Sequence, residues 1–524
     1  LIACKGKRNE PTIISGFFPN AKDSFVVLYS NDTPIDTAYL DKNKTFLFNL
    51  NITEGELFNF ETDGKYQYVY VEPKDSVVVY ANALSFEESI SFSGKGSAIN
   101  NFLLSQSKMS DAQEEVFRKF HSLPPMQYKN KSDSLYQERK REYDDFLKLN
   151  PQLTEKAKDL ALVSATFPIY KEMEIYPFVY QNKNNISIVD LLPYNFYDYR
   201  KQINYNDSFL EYFRPYYRYM VMYVNNLAFT QYTYDTHTLV DVSRELGFHL
   251  QKIKIIDSLF TKGSLRDNLY RNAAYAYIFN IQEHTEYKDY FDKFAKYNKD
   301  NKYKAELDKV FRNVIALQAG RIPPDFDLIN ANGEPTKFSE IQQPEVTIYY
   351  FWAVNQKELS KLIFGRVSQL KKLFPNVKFV GIDIGQDKTQ WRKQISNTDW
   401  TDQYHSINFI DLSQKFLINN INKSVIIDKN GRIISAFEDI FSPNLEKILL
   451  SMDGKSYSAY KSLKGEYRFE KYVLAIDHVQ SDPYAPPSKM RVIMDRKICG
   501  IPCELTDTKD KNIAVSDFLT RNFY

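Results

Sequence analysis

The hydrophobic pattern changes period twice along this chain, and each change imposes a different way of burying apolar surface. From Pro11 to about Ser93, β-rich runs at Thr12–Phe17, Ser24–Tyr29, Thr45–Leu50, Tyr66–Val71 and Ser76–Tyr80 alternate with turn formers at Asn31-Asp32, Asp41-Lys42-Asn43 and Asp63-Gly64. This spacing predicts an antiparallel β-sandwich or barrel over residues 11–96. From Ser97 to Ala319 the period lengthens to that of a helix. Tyr136, Tyr143, Phe146 and Leu147 share one face that Pro151 closes, and similar stripes run through Phe209–Asn226, Arg266–Ile281, Tyr287–Tyr297 and Lys304–Ala319. A helical domain over 97–319 is expected. From Gly320 strands and helices alternate: a buried strand Val346–Trp352, a helix to about Phe374, a strand Val377–Ile384, a helix opening near Lys388, a short strand Ile407–Asp411, and the pair Ser424–Asp428 and Ile433–Phe437 around Lys429-Asn430-Gly431. An α/β sheet with an antiparallel edge hairpin, residues 320–452, follows. The fold class is multidomain α+β.

With 524 residues and 43% hydrophobic content the chain can bury several cores. Its 68 Lys and Arg against 66 acids leave a net charge of +2, so no sequence-wide field attracts nucleic acid and no nucleic-acid partner is expected. Three cysteines, Cys4, Cys499 and Cys503, are too few for a disulfide scaffold and lack the paired spacing of a structural zinc site. No cofactor is expected. The Tyr-rich stretch Tyr194–Tyr234, with Tyr212, Phe213, Tyr216, Tyr217 and Tyr219, is either a core stripe or a stacking platform for a sugar or peptide. Helical spacing favours packing. No apolar run approaches the ~18–20 residues of a membrane helix.

Leu1-Ile2-Ala3-Cys4 resembles the bacterial lipobox, in which a small residue precedes a cysteine that becomes diacylated. The resemblance implies a lipid anchor at Cys4 and residues 1–10 as a tether. Surface-exposed lipoproteins of the Bacteroidota carry acidic residues after that cysteine, whereas Lys5, Lys7 and Arg8 are basic here, so a periplasm-facing anchor in the cell envelope is expected. The stretches "VEPKDSVVV" (Val71–Val79) and "ISFSGKGSAINNFL" (Ile90–Leu103) resemble the β-domain that Bacteroidota envelope proteins place before a thioredoxin-like domain.

Within 320–452, "PDFDL", "FWA", "GIDIG" and "VIIDKNGRI" are similar, in order and spacing, to the periplasmic thioredoxin-like thiol-disulfide reductases. In that family "FWA" leads into a helix bearing CxxC: one thiolate attacks a substrate disulfide and the second cysteine resolves the mixed intermediate. Here Gln356 and Leu359 occupy the two sulfur positions, and Asn422 falls in the slot of the family's cis-proline, where a trans peptide is expected. The resemblance therefore implies a silent redox site, kept either as a fold alone or as a binding groove lined by Trp352, Gln356, Leu359 and Asn422 for a protein or peptide partner.

After Gly465, "GEYRFEKYVLAIDHVQSDPYAPPSKMRVIMD" (Gly465–Asp495) resembles the N-terminal domain of the predicted ATPases of the ABC class. Asp477, His478, Gln480 and Asp482 carry its motif, whose role is open, and residues 453–524 are expected to form a small α+β domain. "LLSMDGKS" (Leu449–Ser456) is not a phosphate loop, because Leu449 stands where the first glycine is required. The two resemblances imply different compartments, and the helix Pro443–Met452 can close one domain and open the next. The leading expectation is a non-catalytic binding or scaffolding lipoprotein. The rivals are the front part of an ABC-class ATPase, with its nucleotide site beyond the chain end, and a thiol oxidoreductase using Cys499 and Cys503, which are free or joined in a strained local disulfide. Labelling with a fatty-acid analogue tests the anchor: the parent chain should take up label and Cys4→Ala should not, whereas label on both contradicts it.

Overall fold

The computed structural model describes residues 11–452 apart from 32, 238, 240–241, 281–286, 386, 397–401 and 419–420. Two compact units divide the chain between Ala273 and Ala274. The first opens with β1 (Thr12–Phe17), β2 (Phe25–Ser30), β3 (Thr33–Tyr39), β4 (Thr45–Leu50), β5 (Glu56–Thr62), β6 (Lys65–Val71) and β7 (Ser76–Tyr80), then a single turn α1 (Phe86–Ser89) and β8 (Ser91–Lys95). They form two sheets of order β4-β1-β7-β8 and β3-β2-β5-β6. Alternation supplies the core: Ile14, Phe46, Phe48, Val77 and Val79 from one sheet meet Val26, Leu28, Phe58, Phe60, Val69 and Val71 from the other. Phe18 packs between them, 4.9 Å from the Phe46 ring and 5.6 Å from that of Phe60. Gly16 is required, since a Cβ there would stand 2.5 Å from Phe46. Asp63 and Gly64 both adopt positive φ, the two-residue hairpin geometry that matches strand twist.

Three strands of these two sheets escape the sequence reading for a physical reason. Almost every side chain of β3 is exposed at a sheet edge, so its sequence carries no alternation. In β8 the apolar rhythm is broken by Gly94, and in β5 it is short, Phe58 and Phe60 alternating with Asn59 and Glu61.

The rest of this unit is helical: α2 (Ser97–Phe120), α3 (Pro125–Leu149), α4 (Glu155–Asn184), α5 (Arg214–Thr236), α6 (Leu246–Leu259) and the start of α7 (Ser264–Asn280). The helix α4 buries residues around its whole circumference and runs through Pro168 and Pro177, which local reading takes as breakers. Of the tyrosine-rich stretch, Phe213, Tyr216, Tyr217 and Tyr219 are buried, so packing accounts for them. Within this core the fully buried Glu174 carboxylate pairs with the Arg200 guanidinium and accepts from Tyr199 at 2.8 Å and Tyr219 at 3.3 Å. Arg200 lies over the Tyr197 ring at 3.6 Å.

The second unit carries α8 (Tyr287–Tyr297), α9 (Lys304–Ala316), β9 (Asp327–Ile329), β10 (Pro335–Lys337), β11 (Thr347–Trp352), α10 (Lys357–Leu373), β12 (Lys378–Asp383), α11 (Lys388–Ser396), β13 (Gln403–Ser406), α12 (Phe409–Phe416), β14 (Lys423–Ile427), β15 (Ile433–Asp439) and α13 (Pro443–Met452). One seven-stranded sheet has the order β10-β9-β13-β12-β11-β14-β15, with β11, β12 and β13 parallel and β14-β15 an antiparallel edge hairpin. All six residues of β11 are buried, as its unbroken apolar run requires. The strand expected at Ile407–Asp411 is corrected. Pairing with β12 instead uses Gln403–Ser406, and the Asn408 side chain caps α12 by accepting from the Asp411 amide at 3.1 Å. In urea denaturation followed by circular dichroism, Glu174→Ala should lower the stability of the helical core by about 3 kcal/mol, because it takes the carboxylate partner from the half-buried Arg200 charge. A loss within experimental error would contradict this role.

Candidate functional site

A parallel strand that ends in a helix amino terminus leaves one crossing point where chain, sheet and helix converge, and here it is the link from β11 to α10. Trp352, the last residue of β11, is fully buried: its indole donates to Gln403 Oε1 at 3.1 Å and its ring meets Phe364 edge-on at 5.0 Å. Gln403 in turn donates to the Tyr350 hydroxyl at 2.9 Å. The link that follows is tied from below. Asp383, fully buried at the end of β12, accepts from the Val354 amide at 2.9 Å and the Gly385 amide at 3.2 Å through one oxygen. Its other oxygen lies 2.7 Å from His405 Nδ1. From above, the Ser360 hydroxyl donates to the Ala353 carbonyl at 2.8 Å and accepts from its amide at 3.2 Å.

The structure places Trp352, Gln356 and Leu359 at this junction. Gln356 precedes the first residue of α10, makes no side-chain cap, and is half-buried; Leu359 is buried on the inner face of the helix. Asn422 lies just before β14, also buried, and its amide donates to the Asp439 carboxylate. The described residues contain no cis peptide, Asn422 included. Asn355, Lys357 and Glu358 are exposed, so the accessible surface of the junction is polar.

Cys4, Asp477, His478, Gln480, Asp482, Cys499 and Cys503 lie outside the described residues. Among the described residues no group of His, Cys, Asp and Glu is arranged to hold a metal ion, and no helix is long and apolar enough to cross a membrane. Sequence reading missed Asp383, Gln403, His405, Lys423 and Asp439. The one available signal was an acid inside the apolar "GIDIG", since a charge buried in a strand needs partners.

Two families account for parts of the chain. Residues 344–433 match the thioredoxin-like family model, and residues 442–524 match the model for the N-terminal region of ATPases of the ABC class. Among solved structures, the thioredoxin domain of a thiol-disulfide oxidoreductase from Bacteroides vulgatus is 14% identical, with a TM-score of 0.22, covering 25% of this chain and 99% of that one. A thiol:disulfide interchange protein from a Bacteroides species is 13% identical, with a TM-score of 0.23, covering 28% of this chain and 97% of that one. No curated protein sequence matches the chain. The chain thus carries a stretch similar to the thioredoxin-like family followed by one similar to the N-terminal region of ABC-class ATPases.

The second match begins at α13, which the fold has already used. Leu445, Leu449 and Leu450 of this helix are buried, and Glu446 pairs with Arg366 of α10 at 2.8 Å with both side chains out of solvent. Leu449, the residue in the first-glycine position of "LLSMDGKS", is thus a core residue of a helix rather than the opening of a loop.

Next to this helix, ionisable groups are buried at the open end of the β14-β15 hairpin. Lys423 donates to the Leu417 carbonyl at 3.2 Å and lies over the Phe437 ring at 4.4 Å, and burial pushes its pKa down to about 7. Desolvation raises Asp439 to about 6, despite hydrogen bonds from the Phe441 amide and Asn422. The folded state therefore holds an extra proton at Asp439 between pH ~4 and ~6, and lacks one at Lys423 between pH ~7 and ~10. Stability should fall with rising pH across the first window and rise across the second. All three tryptophans, Trp352, Trp391 and Trp400, lie in this segment, so their fluorescence in urea reports it. Lys423→Met should diminish the rise above pH ~7, to which the desolvated Lys371 also contributes, and Asp439→Asn should diminish the fall below pH ~6; profiles unchanged by either substitution would contradict the assignment.

Proposed function

We propose that the thioredoxin-like segment is a non-catalytic binding or scaffolding module, held at the periplasmic face of the cell envelope by a lipid on Cys4 and engaging a protein or peptide partner. One observation carries the reading: residues 344–433 contain no cysteine. Thiol-disulfide exchange proceeds through a thiolate and a mixed disulfide, and a Gln side chain at 356 and a Leu at 359 can form neither. The junction nonetheless keeps a buried carboxylate that fixes its backbone, which supports a rigid surface rather than a lapsed one. Burial makes Trp352, Leu359 and Asn422 supports, so partner contact in this reading falls to the half-buried Gln356 and the exposed Asn355, Lys357 and Glu358.

A second reading draws on the match over residues 442–524: the chain as the front part of an ABC-class ATPase. It calls for a glycine-rich loop whose amides and lysine hold phosphates, and reading the transcript past the codon for Tyr524 decides it by the presence or absence of such a loop. The leading reading is tested by insulin reduction with dithiothreitol. The full chain should leave the rate of precipitation at that of dithiothreitol alone, and acceleration above that background would overturn the proposal.

A further inference from the structure

The outer face of a sheet in a β-sandwich is normally solvated and polar, and the β4-β1-β7-β8 sheet is mixed rather than antiparallel as expected, β1 and β7 running parallel. On this sheet four outward positions near one end are apolar instead, Phe17 on β1, Leu47 on β4, and Val78 and Tyr80 on β7, set among the polar Ser15, Thr45, Ser91 and Ser93. Register places them together. Ser15 of β1 pairs with both Leu47 and Val78, and Phe17 pairs with Tyr80, their rings 5.9 Å apart. Tyr39, at the end of β3 and 75% exposed, lines one shallow concavity with Phe17, Leu47 and Val78. Leu47 is 52% exposed, so this is apolar surface in water and not a covered core.

We propose that this face docks on a phospholipid bilayer, a proposal that rests on the reading of Cys4 as a lipid anchor. The tether sets the geometry. At most ~3.5 Å per residue, the eight steps from Cys4 to Thr12 span no more than about 28 Å, and Phe17 lies a further ~17 Å along β1. A lipid at Cys4 therefore holds the sandwich close enough for the face to reach the membrane without any further partner. Its chemistry suits that occupant: Tyr39 and Tyr80 combine an apolar ring with a hydroxyl, the amphipathic form that settles at headgroup level. Charge agrees on balance, since Lys5, Lys7 and Arg8 of the tether and exposed Lys42 in the β3-β4 turn attract anionic headgroups and outnumber the Asp41 carboxylate, which lines the concavity and is kept ionised by hydrogen bonds from the Thr45 amide at 2.8 Å and the Asn43 amide at 2.9 Å.

The test uses the full chain with Cys4→Ser, which removes lipid attachment and so separates this proposal from the anchor. In flotation with vesicles of phosphatidylethanolamine and phosphatidylglycerol, the Cys4→Ser chain should rise with the lipid. Adding Leu47→Ser and Val78→Ser should cut the bound fraction about ten-fold. Should that pair disturb folding, Tyr39→Ser alone should weaken binding in the same direction. In Val78→Trp the new indole should be quenched by brominated lipid. Failure of the Cys4→Ser chain to float, or binding indifferent to these substitutions, overturns the proposal. So does a dimer in sedimentation velocity that the face variants dissociate while flotation is unchanged, which would make the occupant a second copy. Absence of acyl label on Cys4 alongside intact flotation would instead remove the anchor and leave the face.

Discussion

The second unit depends on a carboxylate taken out of water. Asp383 sits at the end of β12 with no exposure, and such a group is tolerated only when its lone pairs are filled. They are filled by the amides of Val354 and Gly385 and by the His405 imidazole, three segments that are separate in sequence and meet only in the folded sheet. The consequence is a backbone link after β11 held to one geometry by charge-assisted hydrogen bonds. Everything that faces outward from this junction, Gln356 and the first turn of α10, inherits its position from that hidden acid.

What the junction can do follows from what stands on it. A helix amino terminus at the edge of a parallel sheet is suited to stabilising negative charge, and in the reductases that this segment resembles it is a thiolate that benefits. Here the same place carries an amide and an isobutyl group. In the proposed reading, rigid presentation survives the change while electron exchange does not, the sense in which a fold can keep its cleft and shed its chemistry.

Much of this was legible in the sequence. The run Val346–Val354 announced β11 because a central parallel strand buries both faces and so loses its alternation. The turn Lys429-Asn430-Gly431 announced the β14-β15 hairpin. The edge strands β3 and β10 were silent, since a strand exposed along its length has no pattern to read, and β13 was misplaced because an Asn cap and a strand end look alike until pairing is known. The site was legible only at its surface. Gln356 and Leu359 announced themselves by position within a motif, whereas Asp383, His405 and Gln403 act through distances that no spacing along the chain encodes. The helix α13 is a further case: sequence placed the seam between two families inside it, and the buried pair Arg366–Glu446 shows that its side chains serve the thioredoxin-like segment.

The central claim, that this module grips and does not exchange electrons, is tested most directly by the second-order rate at which the fully reduced chain attacks a small peptide disulfide. The account predicts a rate per thiol no faster than that of free cysteine at the same pH, because no thiolate is activated by the junction. A rate orders of magnitude faster would mean that a cysteine from elsewhere in the chain reaches the site, and would contradict the account.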